Sequence, residues 1–157
     1  MQTEIGIKPA DSAEVAHSLN RLLADEHVLY IKTRNAHWNV ESPDFLSIHR
    51  FFEEQYKQLE EIIDEVAERI RTIGHYAEAT LEKFLQETHL SEQAREKNDS
   101  AGFIRSLLED HDTIIIHLRE DIERCTNDWR DAGTADFITG LMETHEKMAW
   151  MLRAHLS

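Results

Sequence analysis

The chain has 157 residues, of which 41% are hydrophobic and 31% are charged, and its formal net charge at pH 7 is −14. That length suits one domain over residues 1–157, with a short N-terminal extension over residues 1–10. Five Gly and two Pro are too few for the turns of an all-β sandwich or for a Gly-rich phosphate loop. The single cysteine excludes an intrachain disulfide framework and a cysteine-rich zinc module.

The sequence carries no pattern of membrane insertion or export. No apolar run reaches the ~20 residues that span a bilayer, and the first residues lack the basic and apolar regions of a secretory signal. We therefore expect a cytoplasmic protein. The Lys and Arg residues are scattered, so no basic patch offsets the acidic charge that repels phosphate backbones.

The first predicted element is a long helix that follows the N-terminal extension. Asp11 or Ser12 is suited to cap it, because short polar side chains accept hydrogen bonds from the free N–H groups of a first helical turn. Apolar residues then recur at steps of three and four as far as about Asn39. Pro43 interrupts the pattern, because proline disfavours helical geometry in the residue before it.

A second long helix is predicted from Phe45 to Gly74, where the glycine favours a C-terminal stop. Its apolar positions follow the helical period and form one stripe: Ile48, Phe52, Leu59, Ile62, Val66, Ile70 and Ile73. A polar stripe follows another face of the same helix: His49, Glu53, Lys57, Glu60, Asp64 and Glu68. One face of the helix is therefore expected to pack in a core, and another to face solvent or to form a functional site.

The second half of the chain predicts one short and two long helices. The short helix covers residues 80–88, the third long helix is capped by Asp99 or Ser100, and the fourth is capped by Thr134. One long connection thus separates the second and third long helices. The sequence predicts an all-α fold, a ferritin-like four-helix bundle with a short extra helix in that connection.

The polar stripe contains two pairs of metal-binding residue types. His49 with Glu53, and Asp64 with Glu68, are spaced four residues apart and project together from the helix. His37, near the end of the first helix, adds another imidazole. Imidazole and carboxylate donors without a thiolate suit iron, manganese or zinc. A solvated helix face with one histidine is the competing interpretation of either pair.

Helix geometry separates the two pairs along the axis. The step from Glu53 to Asp64 spans about 16 Å and turns by only about 20°. The pairs share a face but cannot bind one metal within a straight helix. A site that uses all five groups therefore needs a second, antiparallel copy across a two-fold axis, which predicts two intersubunit sites per dimer.

Two stretches carry a resemblance to a known family. Residues 37–53, with HWNVES followed by IHRFFE, and residues 63–74, with IDEVAER followed by IG, resemble the two signatures of the Dps family, the DNA-binding proteins from starved cells or mini-ferritins. The helical layout extends the resemblance over nearly the whole chain. Three positions depart from the family pattern: Ser42 and His75 replace glycines, and Glu53 stands where Asp or Glu occurs.

The resemblance implies a hollow homo-dodecamer that oxidises Fe(II), preferentially with hydrogen peroxide rather than dioxygen, and stores ferric oxide inside. It implies five ferroxidase ligands: His37, His49 and Glu53 from one subunit and Asp64 and Glu68 from its two-fold mate. Zinc or manganese would compete for the same donors.

The resemblance also implies roles for four residues outside the ligand set. Trp38, beside His37, would act as an electron sink, although packing of a helix end explains it equally well. Asp136, with Asp131 and Asp128 as weaker candidates, would line an acidic pore for Fe(II). A capping or solvated aspartate is the competing interpretation for all three.

Two further hypotheses come from the family name and from the remaining histidines. A nucleoid-associated protein that protects DNA is the alternative function, but the acidic charge and the missing basic N-terminal arm make DNA binding doubtful unless magnesium bridges it. His111 and His145 lie on apolar stripes and are interpreted as hydrogen-bonded core histidines. The intrabundle di-iron site of full ferritins needs Glu-x-x-His twice, and it occurs here once, from Glu14 to His17.

Overall fold

The computed structural model describes residues 3–92 and 97–157, so residues 1 and 2 of the predicted extension lie outside the described residues. The helices are α1 (Pro9–Asn39), α2 (Phe45–Thr72), α3 (Leu81–Glu87), α4 (Ser100–Asn127) and α5 (Ala132–Ala154). α1 packs along α2 and α4 packs along α5, while α1 also contacts α3 and α4. The predicted all-α bundle with a short helix between the second and third long helices is confirmed.

The start of α1 differs from the prediction. The helix begins at Pro9, Lys8 occupies the cap position, and no side chain caps it, so the predicted cap at Asp11 or Ser12 is wrong. Proline is well placed at the first helical position, because the N–H that it lacks would have no partner there. Ser12 instead donates its hydroxyl to the carbonyl of Ile73 at 3.3 Å, which joins α1 to the end of α2.

The residue that caps α5 also differs from the prediction, which was Thr134. Asp131 caps this helix and accepts a hydrogen bond from the Thr134 amide at 2.9 Å, whereas Thr134 lies inside the first turn. Asp99 caps α4 as predicted and accepts from the Gly102 amide at 2.8 Å. An aspartate three residues before a free amide satisfies that amide better than a threonine within the turn can.

The core lies between the long helices and takes the predicted apolar stripe of α2. All seven residues of that stripe are buried, and Gly74 follows it at φ 93°, which a glycine adopts without strain. In α4, Ile114 is fully buried and Ile115 is partly covered. Among the described residues, no helix is long and apolar enough to cross a membrane.

Asp25 ties the connection that contains α3 to the middle of α1. This carboxylate is 2% exposed. It accepts hydrogen bonds from the Thr88 hydroxyl and the His89 amide, both at 2.7 Å, and from His89 Nδ1 at 2.8 Å. Arg21 donates to the other nitrogen of that ring at 2.6 Å. The end of the short helix is therefore fixed against α1 by one fully bonded carboxylate.

Candidate metal centre

His37 and His49 meet where α1 ends and α2 begins. Their rings stack with centroids 3.7 Å apart and planes 20° apart. His37 Nδ1 donates to the carbonyl of His49 at 2.7 Å, and His49 Nδ1 donates to the carbonyl of His37 at 2.8 Å. A carbonyl oxygen only accepts, so Nδ1 carries the proton in both rings. In this tautomer the ring nitrogen that can offer a lone pair to a metal is Nε2.

Glu53 lies one turn along α2 from His49. Its carboxylate contacts Lys57 Nζ at 2.6 Å. The hydrogen bond and charge of Lys57 lower the pKa of Glu53, and the proximity of His37 and His49 adds smaller effects in the same direction. Glu53 is therefore an ionised carboxylate within electrostatic range of both imidazoles. Of the five predicted ligands, the structure places the His37 and His49 rings against each other, with Glu53 one turn along α2 and paired with Lys57.

The other two predicted ligands lie apart from this group. Asp64 and Glu68 are exposed on the following turns of α2, and neither forms a hydrogen bond or ion pair within the described part of the chain. Helix geometry places Asp64 about 16 Å along the axis from Glu53. Within residues 3–92 and 97–157, no three His, Cys, Asp or Glu side chains of this single chain are arranged to hold a metal ion.

An aromatic cluster, which sequence reasoning missed, adjoins the histidine pair. The Tyr56 ring meets the His37 ring edge-on at 5.2 Å. The Arg34 guanidinium carbon lies 4.6 Å from the Tyr56 ring centre, 4.9 Å from that of Trp38 and 5.5 Å from that of Tyr30. Trp38 is 63% exposed, so packing of the helix end does not describe it in the single chain. The spacing of Tyr30, Arg34 and Trp38, four residues apart, was the available signal.

The three aspartates proposed for a pore differ in their surroundings. Asp128 and Asp136 are exposed. Asp131 is 3% exposed, and it accepts hydrogen bonds from the amide and hydroxyl of Thr134 and from Arg69 Nη2 at 3.3 Å. These contacts fit the capping interpretation of Asp131, whose oxygens are already bonded within its own chain.

His111 and His145 form a buried chain of hydrogen bonds, as the core interpretation predicts. Their Nδ1 atoms are 2.9 Å apart, and His145 Nε2 lies 2.7 Å from Glu26 Oε1. All three side chains are fully buried. Burial, together with the proximity of His145, lowers the pKa of His111 well below its ordinary value. Glu26 was missed, although its position among the apolar residues of α1 indicated burial.

Comparison with known proteins gives the same fold. A ferritin-like domain matches residues 16–157. A low temperature-induced protein of Nostoc sp. is 43% identical over 97% of this chain and 85% of its own length. DNA protection during starvation protein 2 of Bacillus anthracis is 35% identical over 92% of this chain and 97% of its own length.

A solved structure extends the likeness to the whole chain. The crystal structure of a Dps protein from Vibrio cholerae, described as a member of a broad superfamily of ferritin-like diiron-carboxylate proteins, matches with a TM-score of 0.92 and 30% identity. The match covers 100% of this chain and 98% of that one. The chain is therefore a ferritin-like protein. Within that class, it belongs to the Dps family.

Proposed function

We propose that this protein oxidises Fe(II), preferentially with hydrogen peroxide, at sites between subunits and stores the ferric oxide in a hollow homo-dodecamer. The observation that carries the proposal is the stacked His37–His49 pair, in which both Nε2 atoms are left as metal donors. Glu53 adds a carboxylate beside them. The first subunit would thus supply half of a dinuclear iron site.

The second half of the site would come from another copy of α2. Asp64 and Glu68 are exposed, spaced four residues apart, and without a bonded partner within the described residues. An antiparallel copy across a two-fold axis would bring this carboxylate pair opposite the histidine pair, twice per dimer.

The donor set suits the oxidation of iron. Three carboxylates stabilise the additional positive charge as Fe(II) becomes Fe(III), while two neutral imidazoles bind the ion without cancelling its charge. Two Fe(II) ions and two protons reduce one hydrogen peroxide to two water molecules and leave two Fe(III) ions. Because both electrons come from iron, no hydroxyl radical is released. Zinc and manganese accept the same donors and would compete for the site.

The acidic surface would favour delivery of Fe(II). The net charge of −14 attracts cations over the whole molecule. Asp136 and Asp128 are exposed near the start of α5 and would concentrate Fe(II) at a pore between subunits. Asp131 is left out of this proposal, because its carboxylate is buried and bonded to Thr134 and Arg69.

The test is anaerobic loading with Fe(II), followed by addition of hydrogen peroxide. Ferric absorbance gives the rate, and a spin trap reports hydroxyl radical. The double variant Asp64→Asn/Glu68→Gln should lose rapid oxidation while the shell still assembles. The matched control Glu61→Gln/Glu65→Gln removes two other exposed carboxylates of α2 at the same spacing and should keep the rate. Oxidation by the unmodified protein that is no faster than in buffer would overturn the proposal.

DNA protection is the second candidate function, because it is what the Bacillus anthracis relative is named for. The charge of this chain opposes direct contact with a phosphate backbone. Binding would need a bridging divalent cation such as magnesium. Iron oxidation therefore stands as the proposal that the side-chain geometry favours.

A further inference from the structure

We propose that Arg34 keeps Trp38 reduced while peroxide is consumed, so that both electrons are drawn from iron and none from the protein. The inference rests on the proposed function and concerns the same site. It assigns Arg34 as a positioning residue that acts through its charge on neighbouring rings. It predicts that Trp38 stays reduced, whereas the electron-sink hypothesis predicts that Trp38 is oxidised.

Arg34 is held among three aromatic rings. Its guanidinium carbon lies 4.6, 4.9 and 5.5 Å from the ring centres of Tyr56, Trp38 and Tyr30. Its Nη1 donates to the Tyr30 hydroxyl at 2.6 Å, which fixes the group in place. Its Nε is buried without a hydrogen-bond partner. A guanidinium does not lose its proton in a protein, so the positive charge here is permanent.

The same cluster is in contact with the proposed metal ligands. Tyr56 meets the His37 ring at 5.2 Å, and Trp38 is the next residue along α1. Oxidisable rings thus lie beside a site that reduces peroxide. If nothing disfavoured their oxidation, these rings would compete with Fe(II) as electron donors to peroxide.

The competition arises when only one Fe(II) is available. Hydrogen peroxide, two protons, one Fe(II) and one indole would then give two water molecules, one Fe(III) and an indole radical cation. This step creates a positive charge on the Trp38 ring, 4.9 Å from the guanidinium carbon. Like charges at this distance repel each other, which raises the free energy of the indole radical cation. Withdrawal of the second electron from another Fe(II) places the new charge on iron instead of on the ring that the guanidinium contacts, so Arg34 disfavours the damaging route more strongly.

Trp150 offers an internal control in the same chain. It is 61% exposed against 63% for Trp38, and no arginine lies over its ring among the described residues. Its oxidation should therefore respond to the oxidant but not to a change at Arg34.

The experiment compares the unmodified protein with Arg34→Met, which removes the charge, and Arg34→Lys, which keeps it. Each shell receives less than one Fe(II) per proposed site and then excess hydrogen peroxide, and peptide mass spectrometry gives the oxidised fraction of Trp38 relative to Trp150. We expect several-fold more oxidised Trp38 in Arg34→Met and a value near that of the unmodified protein in Arg34→Lys. Circular dichroism and size-exclusion chromatography check that each variant folds and assembles.

A second arm without iron separates this inference from the proposed function. The iron-free shells are exposed to a small photogenerated one-electron oxidant, and Trp38 is again compared with Trp150. If the shell fails to oxidise Fe(II) but Arg34→Met still raises Trp38 oxidation here, the function is wrong and the role of Arg34 stands. Equal Trp38 oxidation in Arg34→Met and the unmodified protein overturns the inference. An equal rise in Arg34→Met and Arg34→Lys also overturns it, because shape rather than charge would then protect the ring.

Discussion

Backbone carbonyls, rather than other side chains, orient the two imidazoles at the candidate metal centre. His37 and His49 each donate from Nδ1 to the carbonyl of the other residue. These two hydrogen bonds hold both rings in the tautomer that carries its proton on Nδ1. A metal ion that binds at Nε2 meets donors that are already oriented, which is the usual contribution of groups behind the ligands. The contact also joins the end of α1 to the start of α2.

His111 makes the stability of the protein depend on pH. Burial keeps its pKa well below the ordinary value of 6.5 in the folded chain, so the unfolded chain binds one more proton than the folded chain as the pH falls below about 6.5. The free energy of unfolding should therefore decrease by up to about 1.4 kcal/mol per pH unit over that range. Urea unfolding at about pH 7.5 and about pH 5.5, at one protein concentration, measures the decrease.

Two variants separate His111 from the other titrating groups. His111→Leu should remove most of this added pH dependence, and His111→Gln serves the same purpose if the leucine variant does not fold. His17→Leu, at an exposed position of α1, should leave it unchanged. A pH dependence that survives in both His111 variants would assign it to other groups.

At the scale of elements, Asp131 holds the start of α5. It caps the helix through Thr134 and contacts Arg69 of α2. Asp131→Ala should lower the free energy of unfolding by about 1–2 kcal/mol, since a cap is lost and Arg69 loses a partner. Thermal unfolding monitored by circular dichroism measures the loss.

The neighbouring Asp128 is the matched control for this prediction. It is exposed near the same turn, so Asp128→Ala should change stability by less than about 0.5 kcal/mol. Iron uptake by the two variants can be compared in the same preparations. Slower uptake in Asp131→Ala without lower stability would contradict the capping role and restore Asp131 as a pore residue.

Periodicity in the sequence predicted which helices form, but not where two of them begin. The stripe from Ile48 to Ile73 follows the helical period and is buried as predicted. The starts of α1 and α5 were misplaced, because several residues near each start can cap a helix. At α5, Asp131 and Thr134 are both suitable, and contact with Arg69 favours the aspartate. That contact joins separate helices and leaves no local pattern.

The candidate site could be predicted only in part, because some of its contacts also join separate helices and leave no local pattern in the sequence. Residue types and spacing selected His37 and His49, whose rings stack in the structure, and Glu53, which lies one turn along α2 from His49. The reciprocal carbonyl bonds and the rings around Arg34 depend on how α1 crosses α2. Glu26 was missed because a glutamate is usually solvated, and only its bond to a buried histidine of α5 accounts for its place in the core.

At the scale of the whole molecule, the proposed site divides its ligands between two identical subunits. His37 and His49 belong to one half, and Asp64 and Glu68 belong to the other. A variant that damages one half leaves the other intact, so two inactive variants can complement each other in a mixed shell. Complementation is impossible if every ligand of a site comes from one chain.

Mixed shells of His37→Ala/His49→Ala and Asp64→Ala/Glu68→Ala subunits test this division. With random pairing at equal amounts, half of the two-fold pairs are mixed, and each mixed pair holds one intact site out of two. About a quarter of the normal sites should therefore be restored, and the rate of Fe(II) oxidation should recover in proportion.

Shells made from either variant alone stay inactive and serve as controls. Because the substituted side chains are outside the bundle core or at its edge, the shells should assemble, and native mass spectrometry can confirm their mixed composition. No recovery in shells of confirmed mixed composition would place all the ligands of a site in one subunit and contradict the two-fold arrangement.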